Sequence, residues 1–282
     1  MRWRGRRTSS NIEDRRRGGG MRAGAGIGGL GLVIVLLVGL FFGVDVRPFL
    51  GGGGQLVQTG APSGPNEIDD QSEEFGGVVL ADTEEVWADI FEASGLDYRP
   101  PVLVLYSGVT TSACGGADSA MGPFYCPNDR RVFLDTDFFR VLSEQMGARG
   151  DFAAAYVIAH EVAHHVQNEL GLLGEVHRMR SQVGERQSNL LSVRTELQAD
   201  CYSGLWARHA AERFGSISDA DIADAMNAAA QIGDDALQRA SRGVVVPDSF
   251  THGSSEQRQR WFHAGFSSGN PEACDTCGTD RL

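Results

Sequence analysis

An uncharged segment of 22 residues, "AGAGIGGLGLVIVLLVGLFFGV" (23–44), most strongly limits what this chain can fold into. A helix of about 20 apolar residues spans the hydrocarbon core of a membrane. A buried helix of a globular domain is a weaker interpretation, because the segment has many glycines and no polar face. A cleaved signal peptide is weaker too, since no clear A-x-A site follows the long apolar run. The segment predicts a retained transmembrane helix over 23–46.

The charged residues are distributed unevenly about this segment. Residues 1–22 carry a net charge of +6, whereas the 282-residue chain carries −12 and the remainder therefore −18. Arginines before a hydrophobic span favour an N-terminus that stays in the cytoplasm. Because these arginines lie beside the membrane surface, we expect membrane lipid, and no nucleic acid, as their partner.

Residues 47–69 are dense in Gly, Pro and Ser and predict a flexible linker. The sequence thus predicts a basic cytoplasmic N-terminus (1–22), a transmembrane helix (23–46), this linker, and an extracytoplasmic domain (70–282). The chain would be a single-pass protein of the cytoplasmic (inner) membrane, with its N-terminus inside.

Hydrophobic periodicity within the domain predicts more helices than strands. Short apolar runs predict a strand over 101–107 and two strands within 123–135, around the turn residues 127–129. Amphipathic patterns predict helices over 82–94, 135–147, 151–171, 190–215 and 218–237. This order of elements implies an α+β domain that is mainly helical, with a small early β-sheet.

Five cysteines are compatible with an oxidising compartment, although the number is odd. Cys114 and Cys126 flank a loop of turn residues that a disulfide could close. For Cys274 and Cys277, a C-x-x-C pair, we expect a local bridge or two free thiols. Cys201 falls within an apolar helical pattern and is expected in the core.

The stretch "AHEVAHHVQ" (159–167) carries the clearest chemical motif. On a helix, His160 and His164 lie one turn apart on the same face, while His165 is rotated well away from His160. Two imidazoles at this spacing, with Glu161 directly after the first, match the H-E-x-x-H arrangement that binds zinc in peptidases. Two buried histidines satisfied by hydrogen bonds are the alternative interpretation.

A catalytic zinc site needs three protein ligands and one open position. Glu196 is the strongest candidate for the third ligand, because Asp200 follows it at i+4 on the same helical face. The first carboxylate would bind the ion, and the second would accept the N–H of a ligand imidazole. A solvated acidic pair is the alternative for these two residues. The other downstream candidates are Glu169, Glu175, His177 and Glu185.

Glu161 gains a role if zinc is bound beside it. A carboxylate at this position can take a proton from the attacking water and return it to the leaving amine. Without such a role, a carboxylate within an apolar helix would be costly to bury. Glu161 is therefore the candidate general base.

Several long blocks of the chain resemble the bacterial family of neutral zinc metallopeptidases. The resemblance implies a membrane-anchored zincin-like domain, one catalytic Zn²⁺ held by His160, His164 and Glu196, and Glu161 as the base. The blocks are "MRWRGRRTSSNIEDRR", "GPFYCPNDRRVFLDTDFF", "AYVIAHEVAHHVQ", "ELQADCYSGLWA" and "HGSSEQRQRWFHAGF".

The last of these blocks suggests a further catalytic residue by a more distant analogy. Membrane-embedded heat-shock zinc peptidases carry a late His-Pro segment followed by an arginine. By that analogy alone, His252 or Arg258 could face the site and stabilise a tetrahedral oxyanion. A loop histidine and a surface arginine are the alternative.

The function predicted from these features is zinc-dependent hydrolysis of extracytoplasmic proteins or peptides. Zincins commonly bind substrate as an added strand at a sheet edge, and "RVFLD" (131–135) is the candidate edge. A non-catalytic, zinc-stabilised binding or scaffold module is the alternative. The natural substrate and the oligomeric state stay open.

Overall fold

The computed structural model of the chain describes residues 1–16, 70–118, 122–144, 146–148 and 150–282. The predicted transmembrane segment (23–46) and linker (47–69) lie outside these residues. Among the described helices, none is both long enough and apolar enough to cross a membrane.

The described elements are mainly helical, with short strands early in the chain, as an α+β domain requires. The strands are β1 (Ile12–Asp14), β2 (Val102–Tyr106), β3 (Val109–Ser112), β4 (Gly115–Asp118), β5 (Phe124–Cys126) and β6 (Arg131–Asp135). The helices are α1 (Gln71–Ala93), α2 (Thr136–Glu144), α3 (Asp151–Glu169), α4 (Leu172–Arg180), α5 (Glu185–Phe214), α6 (Asp219–Gln231), α7 (Asp234–Arg242) and α8 (Ser255–Ser268). Short 3₁₀ turns cover Pro247–Ser249 and Pro271–Cys274.

The main sheet has four strands in the order β1-β2-β6-β5. The first three are parallel, and β5 runs antiparallel to β6. The prediction that residues 131–135 form the sheet edge is wrong, because β6 is hydrogen-bonded on both sides and cannot accept another strand. The edge next to β6 is β5.

Residues 1–16 belong to the same folded unit as the residues after 70. Ile12 of β1 pairs with Leu103 of β2, and Trp3, only 2% exposed, lies in the same hydrophobic core. The Arg6 guanidinium donates two hydrogen bonds of 2.7 Å to the buried carboxylate of Asp82 on α1. The predicted domain start near residue 70 therefore leaves out an N-terminal segment that the structure includes. Its arginines predicted a basic cytoplasmic N-terminus, but several of them form ion pairs with carboxylates of the domain.

Helix α3 is the central helix and packs against β5, β6, α1 and α5. Helix α5 in turn packs along α8, and two glycines permit a close approach of their backbones. A Cβ at Gly204 would overlap the backbone of Phe262, and a Cβ at Gly265 would overlap that of Cys201. The packing of α8 on α5 also brings Arg258 of α8 to Tyr156 and His160 in the middle of α3.

Two of the predicted helices depart most from the structure. Helix α1 begins at Gln71 rather than near 82, with Asp70 as its N-cap. Gly76 and Gly77 argue against a helix by propensity, yet they let α1 pack closely on Leu103 and Ile12 of the sheet. The tract 218–237 is two helices, α6 and α7, separated at Gly233.

The disulfides confirm one expectation and correct another. Cys114 and Cys126 are bonded, as their loop suggested. Cys201 is fully buried in the core, as expected, and it is also bonded to Cys274, 73 residues later. The C-x-x-C pair is therefore neither a local bridge nor two free thiols. Cys277 is a free, exposed thiol. The sequence spacing gave no sign of this long-range pair.

Candidate metal centre

Helices α3 and α5 bring three metal-binding side chains together. Potential ligand atoms of His160, His164 and Glu196 all lie within 4.8 Å of one another. Nε2 of His160 is 3.1 Å from one Glu196 carboxylate oxygen, and Nε2 of His164 is 3.5 Å from the other. Within the described ranges, this is the one group of three such residues that could hold a metal ion.

The electrostatics of this cluster favour a bound cation. Burial lowers the pKa of His160, but the charge of Asp200 and hydrogen bonds to Asp200 and Glu196 raise it to about 10. Burial raises the pKa of Glu196, but the nearby His164 and His252 hold it well below its ordinary value. The cluster therefore attracts positive charge, which protons or a metal ion can supply.

Asp200 fixes the orientation of His160. Its carboxylate accepts hydrogen bonds from Nδ1 of His160 at 2.9 Å and from the Tyr156 hydroxyl at 2.5 Å. Arg258 donates to both carboxylate oxygens, at 2.8 and 3.0 Å. Because a carboxylate can only accept, Nδ1 of His160 donates its proton to Asp200, and Nε2 is the nitrogen that faces Glu196, where it holds either a proton or a metal ion.

Glu161 lies next to His160 on α3 and is 8% exposed. Its negative charge is one of the influences that raise the pKa of His164, although burial, which lowers that pKa, is the largest. The carboxylate is therefore close to the cluster without belonging to it.

Comparison with known proteins places the chain in a family. A profile of the family described as "Putative neutral zinc metallopeptidase" matches residues 1–277. The chain belongs to this family. It is 47% identical over 287 residues to the uncharacterised protein YpfJ of Escherichia coli K12, covering 99% of both chains. It is 48% identical over 189 residues to the uncharacterised protein Rv2575 of Mycobacterium tuberculosis H37Rv, covering 64% of this chain and 63% of the relative. No solved structure matches the chain significantly.

The structure contradicts the oxyanion-binding role that the analogy with membrane-embedded heat-shock zinc peptidases suggested for Arg258. Arg258 is 3% exposed, and its guanidinium is directed at Asp200 and Tyr156. It therefore does not face a substrate as an oxyanion-binding group. Its contacts make it the counterion of the carboxylate that orients His160.

His252 lies near Glu196, and its charge contributes to the lowered pKa of that carboxylate. Its side chain is 33% exposed. The buried carboxylate of Asp234 holds its loop by accepting three backbone N–H bonds, from Thr251, His252 and Gly253, at 2.7, 2.7 and 3.0 Å. His252 is thus a partly accessible imidazole in a fixed loop beside the cluster.

The remaining candidate ligands lie elsewhere. Glu169 forms an ion pair with Arg130, and the others, Glu175, His177 and Glu185, are exposed. His165 is buried between the Tyr125 hydroxyl, at 3.0 Å, and the carbonyl of Arg99, at 2.6 Å. It links α3 to β5 and does not contribute to the cluster.

Three residues at the centre were missed from the sequence. Tyr156 precedes His160 by one helical turn, so its place on the same face could have been noticed. Gln167 follows His164 by three residues, so its position on the same side of the helix could have been noticed too. Nothing in the sequence marked Asp234, because its contacts are to a loop 17 to 19 residues later.

Proposed function

We propose that this chain is a zinc-dependent peptidase. The observation that carries the proposal is the convergence of His160, His164 and Glu196 within 4.8 Å, with Glu161 alongside. Two imidazole nitrogens and one carboxylate oxygen are a ligand set typical of catalytic zinc. The protonated Nδ1 of His160 supports this assignment, since it leaves Nε2 free as a ligand.

The proposed roles follow from the surroundings of each group. A bound zinc ion supplies Lewis acidity, which acidifies water and polarises a peptide carbonyl. Glu161 accepts a proton from the attacking water and delivers it to the leaving amine nitrogen. His252, held beside Glu196 by its loop, donates a hydrogen bond to the oxygen that becomes negative in the tetrahedral intermediate.

The substrate we propose is an extended segment of a protein or peptide. Strand β5 is the edge of the main sheet nearest to the metal helix, and α3 packs against it. An edge strand offers unpaired backbone groups to which an extended peptide can add. The Tyr125–His165 hydrogen bond fixes this edge relative to α3. We therefore propose a zincin-like arrangement in which substrate lies along β5.

A zinc-stabilised scaffold without catalytic activity is the competing function. A scaffold has no use for a carboxylate buried beside the ion, so the position of Glu161 argues against it. Metal analysis combined with a peptidase assay distinguishes the two. One equivalent of zinc without hydrolysis of any peptide would favour the scaffold.

Removal of the metal should abolish hydrolysis. We expect purified full-length protein to lose activity on a peptide library after chelation, and to regain it with one equivalent of Zn²⁺. Mg²⁺ should not restore it, because Mg²⁺ prefers oxygen ligands in octahedral geometry. Hydrolysis that persists in metal-free protein would reject the proposed chemistry.

We also propose that residues 23–46 anchor the domain in the cytoplasmic membrane, with the domain outside. The two disulfides support an oxidising compartment. A single pass with the N-terminus inside would place β1 and β2 on opposite sides of the membrane, although these strands are paired. It would also separate the Arg16 guanidinium from the Asp70 carboxylate, which lie 2.7 Å apart. We therefore expect both flanks of the segment on the same side of the membrane.

Thiol labelling of intact cells tests this arrangement. A membrane-impermeant maleimide should label the native Cys277, which reports on the domain. In a Cys277→Ser background, it should also label Ser10→Cys, at an exposed position of the N-terminal segment. Labelling of the Ser10→Cys variant only after lysis would show that the N-terminus lies in the cytoplasm. The pairing of β1 with β2 would then be incorrect.

A further inference from the structure

Gln167 is a fully buried amide three residues after His164, and the mechanism above gives it no task. Its Oε1 lies 2.9 Å from Nδ1 of His164. Its Nε2 lies 2.8 Å from the backbone carbonyl oxygen of Thr195 and 3.0 Å from Oε1 of Gln198. The amide thus connects α3 to α5, the two helices that carry the candidate ligands.

The direction of these hydrogen bonds is fixed by backbone carbonyls. The Thr195 carbonyl can only accept, so the amide must turn its NH₂ group towards it. Gln198 is oriented in the same way, because its Nε2 donates to the carbonyl of Cys274 at 3.2 Å. The Oε1 of Gln198 is then an acceptor for Gln167. Reversing either amide would place two oxygens against each other.

The orientation of Gln167 determines the protonation of His164. Since Oε1 of Gln167 faces the ring, Nδ1 must carry the proton that it donates. Nε2 is then the nitrogen that faces Glu196, 3.5 Å away, and it is the one available to bind an ion in place of a proton. A metal ligand requires this tautomer, and partners of this kind typically fix it.

We propose that Gln167 is a positioning residue that holds His164 in its metal-binding tautomer and fixes the ring relative to α5. The carboxylate of Asp200 orients the ring of His160 in the same way, whereas a neutral amide orients the ring of His164. Three carboxylates, those of Glu161, Glu196 and Asp200, already lie in or beside the cluster, so an amide avoids adding a fourth buried charge. This inference rests on the proposed zinc site.

The zinc dissociation constant of the purified full-length protein, measured by competition with a chromophoric chelator, tests the proposal. Gln167→Met removes the acceptor while keeping similar volume, and it should weaken zinc binding by about 10- to 100-fold. Gln198→Met is the matched control, because it removes an outer hydrogen bond and leaves Gln167 bonded to Thr195 and His164. It should change the zinc affinity far less.

A conservative variant separates positioning from packing. Gln167→Glu keeps an acceptor for His164 but places a carboxylate oxygen against the Thr195 carbonyl. We therefore expect it to retain zinc affinity while its unfolding midpoint falls. If Gln167→Met does not fold, Gln167→Asn replaces it with the same expected loss, since its side chain is one methylene too short to reach both partners.

Two results would overturn the inference while leaving the metal site intact. One is wild-type zinc affinity in Gln167→Met, with a loss of stability equal to that of Gln198→Met. The other is equal loss of affinity in Gln167→Met and Gln167→Glu, which would show that the acceptor is irrelevant. Failure of the wild-type protein to bind zinc would instead reject the metal site itself.

Discussion

Replacing Glu161 with Gln should leave zinc bound and lower the rate of peptide hydrolysis by about 10²- to 10⁴-fold. The change keeps the shape of the side chain and removes its ability to accept a proton from water. The ligand atoms belong to His160, His164 and Glu196, so the metal content should stay at that of the wild type. The measurement is kcat/KM on a peptide substrate, paired with metal analysis of the same preparation.

The control for this experiment is Glu175→Gln, which changes an exposed carboxylate on α4. Its kcat/KM should equal that of the wild type. Hydrolysis by Glu161→Gln at the wild-type rate would remove this residue from the mechanism. Loss of zinc from the same variant would show that Glu161 contributes to binding the ion, and the assignment of roles would change.

Replacing Arg258 with Met should destabilise the protein by about 3–5 kcal/mol, because it leaves a buried carboxylate without its counterion. Asp200 is 0% exposed, and Arg258 donates to both of its oxygens. Released from Arg258, Asp200 will also orient His160 less strictly, so zinc affinity should fall as well. The free energy of unfolding and the zinc dissociation constant measure the two effects.

The pH dependence of the stability provides a second test of this prediction. Burial raises the pKa of Asp200, but Arg258 and His160 lower it from 3.8 to about 2. A lowered pKa stabilises the folded state above 3.8, and this contribution is lost as the pH falls towards 2. Without Arg258 the pKa of Asp200 rises, so the difference in stability between wild type and variant should be largest at neutral pH and narrow below pH 3.8.

Arg260→Met on the same helix is the matched control. Arg260 forms an i,i+4 ion pair with the exposed Glu256, and such a surface pair contributes about 0–1 kcal/mol. An Arg258→Met variant no less stable than Arg260→Met would show that Asp200 does not need its counterion. The network assigned to His160 would then be incorrect.

The sequence alone predicted those residues of the centre that are related by local helical spacing. His160, Glu161 and His164 lie within one turn of a helix, so spacing alone relates them. Glu196 and Asp200 are likewise related by one turn, and the structure brings both to His160. The strands at 101–107 and 123–135 were predicted because their short apolar runs, and the turn residues 127–129 of the second stretch, are also local signals.

Contacts between residues that are far apart in the sequence could not be predicted in this way. Arg258 is 58 residues from Asp200 in the sequence, and nothing in its own segment showed that it is buried. Arg6 pairs with Asp82 across 76 residues. Because no local pattern shows this contact, the sequence predicted a basic cytoplasmic N-terminus outside the folded domain. The interior position of β6 follows from how β1 and β2 add to the sheet, which periodicity does not reveal.

Diffraction data collected at the zinc absorption edge from crystals of the full-length protein test the central claim most directly. The account predicts one strong anomalous peak about 2.0–2.2 Å from Nε2 of His160, Nε2 of His164 and a carboxylate oxygen of Glu196. A peak bound elsewhere in the molecule, or none in protein that still hydrolyses peptides, would contradict it.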